Sequence, residues 1–234
     1  MEKTFQVQKS DERHHANIGW LDTHYSFSFA DYYDPKFTNW GPLRVFNDDR
    51  IAGKKGFDMH PHKDMEILTY VLSGELEHED SMKHKGVVRP GGIQYLSAGT
   101  GILHAERNSS NKPLHLCQMW IKPDKNGHAP QYGQKDFSRF DREDSLLKTA
   151  SGDGTAPIRI HKDASLFVAK IERKKLAHAF KKDRLGFLFV AEGRITANGQ
   201  TLFTGDAVRM GGIERLDLEG KGEIVLWDLG PWKN

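Results

Sequence analysis

The chain has 234 residues, a length that predicts one large domain or two small ones. Hydrophobic residues make up 37% and aromatic residues 10%, which is enough for a core and argues against a disordered chain. The 34 Lys and Arg residues nearly balance the 32 Asp and Glu residues. The resulting formal net charge of +2 gives no electrostatic case for a nucleic-acid partner or an acidic membrane surface.

The first residues are polar and of mixed charge, unlike the apolar core of a secretion signal. No apolar run approaches the roughly 18 residues that a membrane span needs. The single cysteine, Cys117, cannot form an internal disulfide, which fits a reducing compartment. These features together predict a cytoplasmic protein.

Short runs rich in β-branched and aromatic residues alternate with glycine-containing turns along the chain. Examples are residues 67–72, 115–121, 187–190 and 223–229. Short strands at regular spacing with turn signals between them predict an all-β sandwich or barrel. Few short helices are expected, and residues 143–150 are the segment for which we predict one turn of helix.

A weak internal repeat divides the chain into two similar halves. Each half contains, in order, an apolar strand, a glycine, a second strand, a turn, and a further strand next to a glycine-containing turn. Gly74 corresponds to Gly193, and Gly92 corresponds to Gly205. Residues 122–144, rich in proline, glycine and charge, are typical of a connector. We therefore predict two barrels, over residues 1–130 and 131–234, and an N-terminal strand is a candidate to join the sheet of the second barrel.

The segment His60-Pro61-His62 is the first candidate for chemistry. Residues i and i+2 of a strand point to the same face, so two imidazoles at this spacing can converge on one ion. Pro61 cannot donate a ladder hydrogen bond, which predicts an edge strand or a local irregularity. Alone, such a pair is a weak signal in a chain with 12 histidines.

The segment His104-Ala105-Glu106 repeats this spacing about 40 residues later, behind the glycine turn at residues 99–101. Three imidazoles and one carboxylate suit one iron(II), manganese, cobalt, nickel, copper or zinc ion. Four protein ligands on an ion that accepts five or six leave positions open for water, substrate or dioxygen. A closed structural zinc site would more often use cysteine.

The first half resembles the cupin superfamily. Its first motif, His-x-His followed by Glu and Gly, matches His60, His62, Glu66 and Gly74, and its second motif matches Pro90, Gly92, His104 and Asn108. The interval from Gly92 to His104 is longer than the usual cupin pattern. Within cupins the chain is more similar to the pirin family, closest to the bacterial pirin-like quercetin 2,3-dioxygenases. The carrying segments are residues 19–35, 43–49, 60–81, 97–108 and 114–123.

This resemblance implies a bicupin, that is, two tandem cupin barrels, with the ion in the first. It implies that His60, His62, His104 and Glu106 bind the ion and that Glu106 is also catalytic. Glu66 would then lie beside the ligands, holding a histidine through its other ring nitrogen. Gln118 is expected beside the ligands as well, although the strand register leaves open whether Gln118, or Cys117 with Met119, faces the interior.

The second half lacks a His-x-His segment, and its second motif has Arg209 and Met210 in place of the His and Glu pair. We therefore expect a C-terminal barrel without metal ligands.

The resemblance implies a metal-dependent dioxygenase, most simply with Fe(II), that cleaves a flavonol such as quercetin and releases carbon monoxide. Phe57, Met59 and strand residues are expected to line a cavity for this small aromatic substrate. Two alternatives stay open: an iron-dependent regulatory protein that binds a transcription factor or a metabolic enzyme, and another cupin reaction on the same ion. We expect a monomer without a nucleic-acid or membrane partner.

Overall fold

The computed structural model describes residues 2–231, which form two compact units built almost entirely of strands. The N-terminal unit comprises His14–Asn39 and Leu43–Phe137. The C-terminal unit comprises the residues up to Arg13, Trp40–Pro42 and the residues from Ser138 onward. The prediction of an all-β protein is confirmed. Among residues 2–231, no helix has the length and apolar character needed to cross a bilayer.

Within residues 2–231, twenty strands and one α-helix follow one another, and a short 3-10 turn covers Ser10–Glu12. The strands before the helix are β1 (Thr4–Gln8), β2 (His14–Asn17), β3 (Leu21–Tyr25), β4 (Leu43–Ile51), β5 (Gly56–His62), β6 (Glu66–Ser73), β7 (Leu76–Asp80), β8 (Lys85–Val88), β9 (Ile93–Ser97), β10 (Ile102–Arg107), β11 (Leu114–Ile121) and β12 (Gln131–Lys135). The remaining elements are α1 (Arg139–Arg142), β13 (Leu147–Ser151), β14 (Ile158–Arg159), β15 (Ala164–Ile171), β16 (Leu176–Ala179), β17 (Leu185–Ala197), β18 (Gln200–Phe203), β19 (Ala207–Gly211) and β20 (Arg215–Leu229).

The N-terminal unit consists of two sheets. Seven strands follow the order β12-β9-β6-β11-β4-β3-β2, and four follow the order β5-β10-β7-β8. Buried side chains from both sheets pack into one apolar cluster, with Val71 and Leu116 from the larger sheet and Leu76 and Val88 from the smaller. Burial of such side chains is the main force that holds two sheet faces together.

The C-terminal unit is a single nine-stranded sheet with the path β1-β19-β17-β20-β15-β13-β14, while β16 pairs with β20 and β18 with β17. The N-terminal strand β1 pairs with β19, so it joins this sheet as the sequence analysis considered. The long strands β17 and β20 pair along nearly their whole length, with a register shift between Val190 and Glu192. A bulge of this kind bends a sheet and lets it curl around its own core.

The internal repeat is visible in the backbone of both units. Gly74 and Gly193 have φ values of +82° and +86°, a conformation that favours glycine. The amide of Gly205 donates to Val190 O, and the matching bond in the first copy runs from Gly91, not Gly92, to Val71 O. Gly91 and Gly205 also share φ values of +88° and +87°. The predicted pairing of Gly92 with Gly205 is therefore wrong by one residue.

The predicted turn of helix at residues 143–150 is wrong as well. The helix α1 lies just before that segment, because Ser138 caps it: its side chain accepts a hydrogen bond from the Asp141 amide. Glu143 already has extended backbone angles and ends the helix. Leu147–Ser151 is strand β13, which pairs with β15.

Candidate metal centre

Strands β5 and β10 carry the two predicted ligand pairs and are neighbours in the four-stranded sheet. His60 lies opposite His104, and His62 lies opposite Ile102. Because residues two apart on a strand share a face, both histidines of β5 lie on the same face as His104. Strand β5 is at the end of the strand order, in agreement with Pro61, which has no N–H to offer to a further strand.

The three histidines converge on one point. Their ring centroids are 4.7 Å (His60–His62), 4.5 Å (His60–His104) and 4.8 Å (His62–His104) apart. One ring nitrogen from each lies within 4.8 Å of the others, close to the span of two metal–nitrogen bonds of about 2.1 Å each. The other nitrogen of His60 is already held, since Nδ1 lies 2.7 Å from Asp58 O. Such a bond to the second nitrogen fixes the ring of a metal-binding histidine.

Two of the three imidazoles, those of His62 and His104, have the protonation state that metal binding requires. Burial, reinforced by the neighbouring His104 and His60, lowers the pKa of His62 to about 3. Burial and the neighbouring histidines also lower the pKa of His104 to about 3. Both rings are therefore neutral at pH 7, with nitrogen lone pairs available for a cation.

His104 provides the test of whether this site suits a metal ion. Its side chain is buried, and neither Nδ1 nor Nε2 has a hydrogen-bond partner. A buried polar atom without a partner is costly, and coordination of an ion would satisfy one of these nitrogens. The donor set and this unpartnered ring therefore fit a divalent transition metal.

Glu106 is a fully enclosed carboxylate on the same face of β10. It accepts hydrogen bonds from Gln94 Nε2 at 2.5 Å and from Gln118 Nε2 at 2.8 Å. Burial raises the pKa of Glu106, although nearby His78 and the two glutamine hydrogen bonds oppose the rise. A cation nearby would favour the charged form of the carboxyl and so oppose this rise in pKa.

Two of the donor triads found among residues 2–231 share His104. The outer triad comprises His60, His62 and His104, and the inner triad comprises His78, His104 and Glu106. The assignment of His60, His62, His104 and Glu106 to one ion stays a prediction, for which the shared face of β5 and β10 gives geometric support.

Gln118 and Glu66 are the residues expected beside the ligands. Gln118 faces the site, since its amide bonds to Glu106, which resolves the register that the sequence left open. Cys117 is buried and belongs to the opposite face of β11. Glu66 is buried at the start of β6 and accepts a hydrogen bond of 2.7 Å from the Tyr95 hydroxyl. Its expected role in holding a histidine stays a prediction.

A cavity of about 160 Å³ adjoins the histidines and Glu106. Its walls are apolar and aromatic on several sides and carry a few amide and carboxyl groups. The lining residues are Leu21, Tyr25, Phe29, Asn47, Asp49, Phe57, His60, His62, Glu106, Gln118 and Trp120. Phe57 lines it as expected, whereas the expected Met59 is not among the lining residues and is 47% exposed, because it alternates with His60 on β5.

Sequence reasoning missed three residues that contact the site: Gln94, Trp120 and His78. Trp120 packs edge-on against His62 with ring centroids 4.8 Å apart. Gln94 and Gln118 reach Glu106 from β9 and β11, strands of the other sheet, so no local spacing reveals them. His78 carries a readable signal, since His78 and Asp80 have the same i, i+2 spacing as the ligand pairs.

The C-terminal unit has apolar residues at the corresponding place. Leu218 of β20 pairs with Leu176 on one side and with Ala197 on the other. Glu106 makes the matching pairs with Phe57 and His78. Leu218 is therefore the counterpart of Glu106, whereas Arg209 and Met210, which lie on β19 and pair with β1 and β17, do not correspond to the ligand pair.

Two family descriptions match the chain. The Pirin family matches residues 6–121, and the family described as the quercetinase C-terminal cupin domain matches residues 149–229. These matches confirm the prediction of two cupin domains.

Relatives match nearly the whole chain. Quercetin 2,3-dioxygenase of Escherichia coli K12 is 42% identical over 96% of this chain and 98% of its own length. A pirin-like protein of Caulobacter vibrioides is 43% identical over 80% of this chain and 82% of its own length.

Two solved structures of a related protein superpose closely on this chain. The crystal structure of YhhW from Escherichia coli has a TM-score of 0.92 at 40% identity, covering 98% of this chain and 99% of its own. A second structure of that bacterial pirin, in complex with nickel(II), has a TM-score of 0.91 at 40% identity over 97% of this chain and 99% of its own.

Proposed function

This chain belongs to the pirin family of cupin proteins, and on that basis we propose that it is a metal-dependent dioxygenase that cleaves a flavonol such as quercetin. One observation carries the proposal: two histidines of the triad, His60 and His62, and the buried carboxylate of Glu106 line the same aromatic-walled cavity. Relatives named quercetin 2,3-dioxygenase at 42% identity over nearly the full chain support it.

The proposed ion is Fe(II), held by His60, His62, His104 and Glu106. Imidazole with carboxylate is a donor set that also suits manganese, cobalt, nickel, copper and zinc, and the related YhhW has been crystallised with nickel(II). When bound, the ion supplies Lewis acidity that lowers the pKa of the flavonol 3-hydroxyl and orients the ring that carries it.

Glu106 is the proposed catalytic base for the 3-hydroxyl proton. Its burial raises its pKa and so makes one of its oxygens a ready acceptor when the substrate enters. Proton transfer is most efficient when the pKa of the base lies near the working pH. Gln94 and Gln118 hold the carboxylate in place, so it needs little reorientation as the proton moves.

The cavity walls position a flat aromatic substrate. Trp120, Phe57 and Tyr25 present ring surfaces to it, and such rings favour stacked or edge-on contacts with another ring. A volume of about 160 Å³ is below the roughly 300 Å³ typical of pockets that enclose a drug-sized ligand. The cavity therefore suits the ring that bears the 3-hydroxyl, with the rest of the flavonol extending outward.

In the proposed reaction both atoms of dioxygen enter the ring-opened ester, and the carbon that bore the 3-hydroxyl leaves as carbon monoxide. The test uses protein loaded with Fe(II) without air, then mixed with quercetin and dioxygen. Dioxygen uptake and carbon monoxide should appear in equal amounts, and His60→Ala and Glu106→Gln should each reduce the rate at least 100-fold.

The matched control is His178→Ala, which removes a partly buried histidine of the C-terminal unit that bonds to Asp228. It should leave the rate unchanged. Fully loaded protein that does not turn over quercetin would contradict the proposal and favour the regulatory alternative. Activity of a zinc form without dioxygen would instead indicate another cupin reaction.

A further inference from the structure

Strand β7 brings a third histidine next to the candidate metal centre. It pairs with β10 on the side opposite to β5, so that β10 lies between them. In this register His78 is opposite Glu106, and Asp80 is opposite His104. Directly opposed residues of paired strands point to the same face. His78 and Asp80 therefore lie on the same face as the predicted ligands of β10.

His78 has the hydrogen bonding of a metal-binding histidine. Its side chain is fully buried, and Nε2 lies 3.2 Å from Asp80 Oδ2. Nδ1 is buried and has no hydrogen-bond partner. A proton on Nε2 satisfies the carboxylate and leaves the lone pair on Nδ1 free. Histidine ligands in proteins commonly donate the other ring N–H to a carboxylate in this way.

Asp80 and Tyr132 hold the His78 ring in one orientation. Asp80 accepts further hydrogen bonds from the Met82 amide at 2.9 Å and from His84 Nδ1 at 2.9 Å, so its own position is fixed. The Tyr132 ring stacks on His78 with centroids 4.2 Å apart and an angle of 13° between the planes. A ring clamped between a carboxylate and an aromatic face loses little freedom when it binds an ion.

The side chains of His78, His104 and Glu106 place their possible metal-binding atoms close together. One donor atom each from His78, His104 and Glu106 lies within 4.8 Å of the others, and all three residues are buried. Two imidazoles and one carboxylate form a facial set that leaves coordination positions open. The donor set is thus separate from the outer triad except for His104.

We propose that His78, His104 and Glu106 form an inner position for a divalent transition metal ion, with His78 as a metal-binding residue held by Asp80. This inner position rests on the proposed metal centre, with which it shares His104. An ion can bind there when the histidines of β5 are unavailable, because none of its three donors comes from that edge strand.

The test titrates metal-free protein with Co(II) near pH 7.5 and follows the visible absorption of the ion, with a competing chelator to obtain the affinity. The variant His60→Ala/His62→Ala removes the outer triad but keeps the inner one. We expect it to bind one Co(II), at least tenfold more tightly than the triple variant that also carries His78→Gln. Equal affinities for the two variants would overturn the proposal.

A single variant keeps the test decisive if the triple variant does not fold. His78→Gln in the otherwise unchanged chain should weaken Co(II) binding by about 10-fold or more and alter the absorption spectrum of the bound ion. The control is His115→Gln, which removes another histidine bonded to a buried carboxylate, Asp48, but outside both triads. The proposal fails if His78→Gln behaves like His115→Gln.

These measurements do not use turnover, so the two proposals can fail separately. Wild-type protein that binds Co(II) but leaves quercetin unchanged would contradict the dioxygenase proposal alone. An unchanged Co(II) affinity in His78→Gln, with quercetin still cleaved, would contradict the inner position alone.

Discussion

The hydrogen bond from Gln118 favours the charged form of the Glu106 carboxylate, and its removal should weaken metal binding in a pH-dependent manner. Gln118 Nε2 lies 2.8 Å from Glu106 Oε2, and both residues are buried. The substitution Gln118→Met keeps the length and volume of the side chain but removes the donor. Of its two glutamine donors, Glu106 then keeps only Gln94.

The expected magnitude follows from the strength of that bond. A hydrogen bond to a charged group contributes about 1.5–3 kcal/mol. Loss of this bond should raise the pKa of Glu106 further in the variant, and a free-energy change of that size corresponds to a factor of about 10 to 100 in an equilibrium constant. Burial already raises this pKa, so the variant carboxyl is protonated over a wider range of acidic pH. Metal binding needs the carboxylate, and the proton then competes with the ion.

The assay is the affinity for Ni(II) at several pH values, measured by chelator competition. We expect a loss of about 10- to 100-fold at acidic pH that narrows as the pH rises, because the proton then competes less with the ion for the carboxylate. The control Gln134→Met changes an exposed glutamine of β12 that donates to Val87 O, and it should leave the affinity unchanged. A loss in Gln118→Met that is equal at every pH would refute the reasoning, because it would indicate lost packing rather than a shifted pKa.

Four further outcomes are expected. The pKa values of His62 and His104 are both lowered in the folded protein, so the unfolded chain binds more protons below pH 6.5. In urea unfolding of metal-free protein, His104 alone should make the free energy of unfolding about 2 kcal/mol smaller at pH 5 than at pH 7, and His62 should add to this difference; equal values at the two pH values would contradict the burial of neutral rings. Ni(II) at about 100 times its dissociation constant should raise Tm by roughly 5–10 °C in a thermal melt, and His104→Ala should abolish the shift. In urea unfolding, Gly193→Ala should lower the free energy of unfolding by about 1–2 kcal/mol more than Gly199→Ala. Both glycines have a positive φ, but a Cβ at Gly193 would meet Lys221 O at 2.2 Å, whereas a Cβ at Gly199 would meet no atom within 4 Å. An equal decrease in the two variants would exclude that clash. Trp120→Ala should raise KM for quercetin at least tenfold with a smaller change in kcat, whereas a fall in kcat alone would argue against a role in binding.

Local spacing was sufficient to predict the fold class and the face that the candidate ligands share. Side chains alternate between the two faces of a strand, so His60 and His62 share one face of their strand, and His104 and Glu106 share one face of theirs, independently of the rest of the fold. The glycines of the repeat, such as Gly74 and Gly193, likewise mark backbone conformations that other residues adopt at a cost.

Local sequence patterns predicted the structure less well where a segment could form either a helix or a strand, and where the two copies differ in length. The helix α1 begins at a cap formed by Ser138 and ends at Arg142, before residues 143–150, where the sequence predicts a turn of helix. The correspondence of Arg209 and Met210 with the ligand pair was wrong, because both lie on β19, whereas the pairing between strands identifies β20 as the counterpart of β10.

The sequence by itself determined which side chains of a strand share a face, because that property depends only on the alternation of the backbone, whereas the structure decided which face points inward. The tertiary structure alone decided which strands are neighbours, and therefore which inward side chains meet. Gln94 and Gln118 reach Glu106 from the larger sheet, and His78 reaches it from β7, at separations along the chain that no periodicity encodes. Those neighbours control the charge of Glu106 and supply the third donor of the inner triad, so the chemistry of the centre depends on packing between strands.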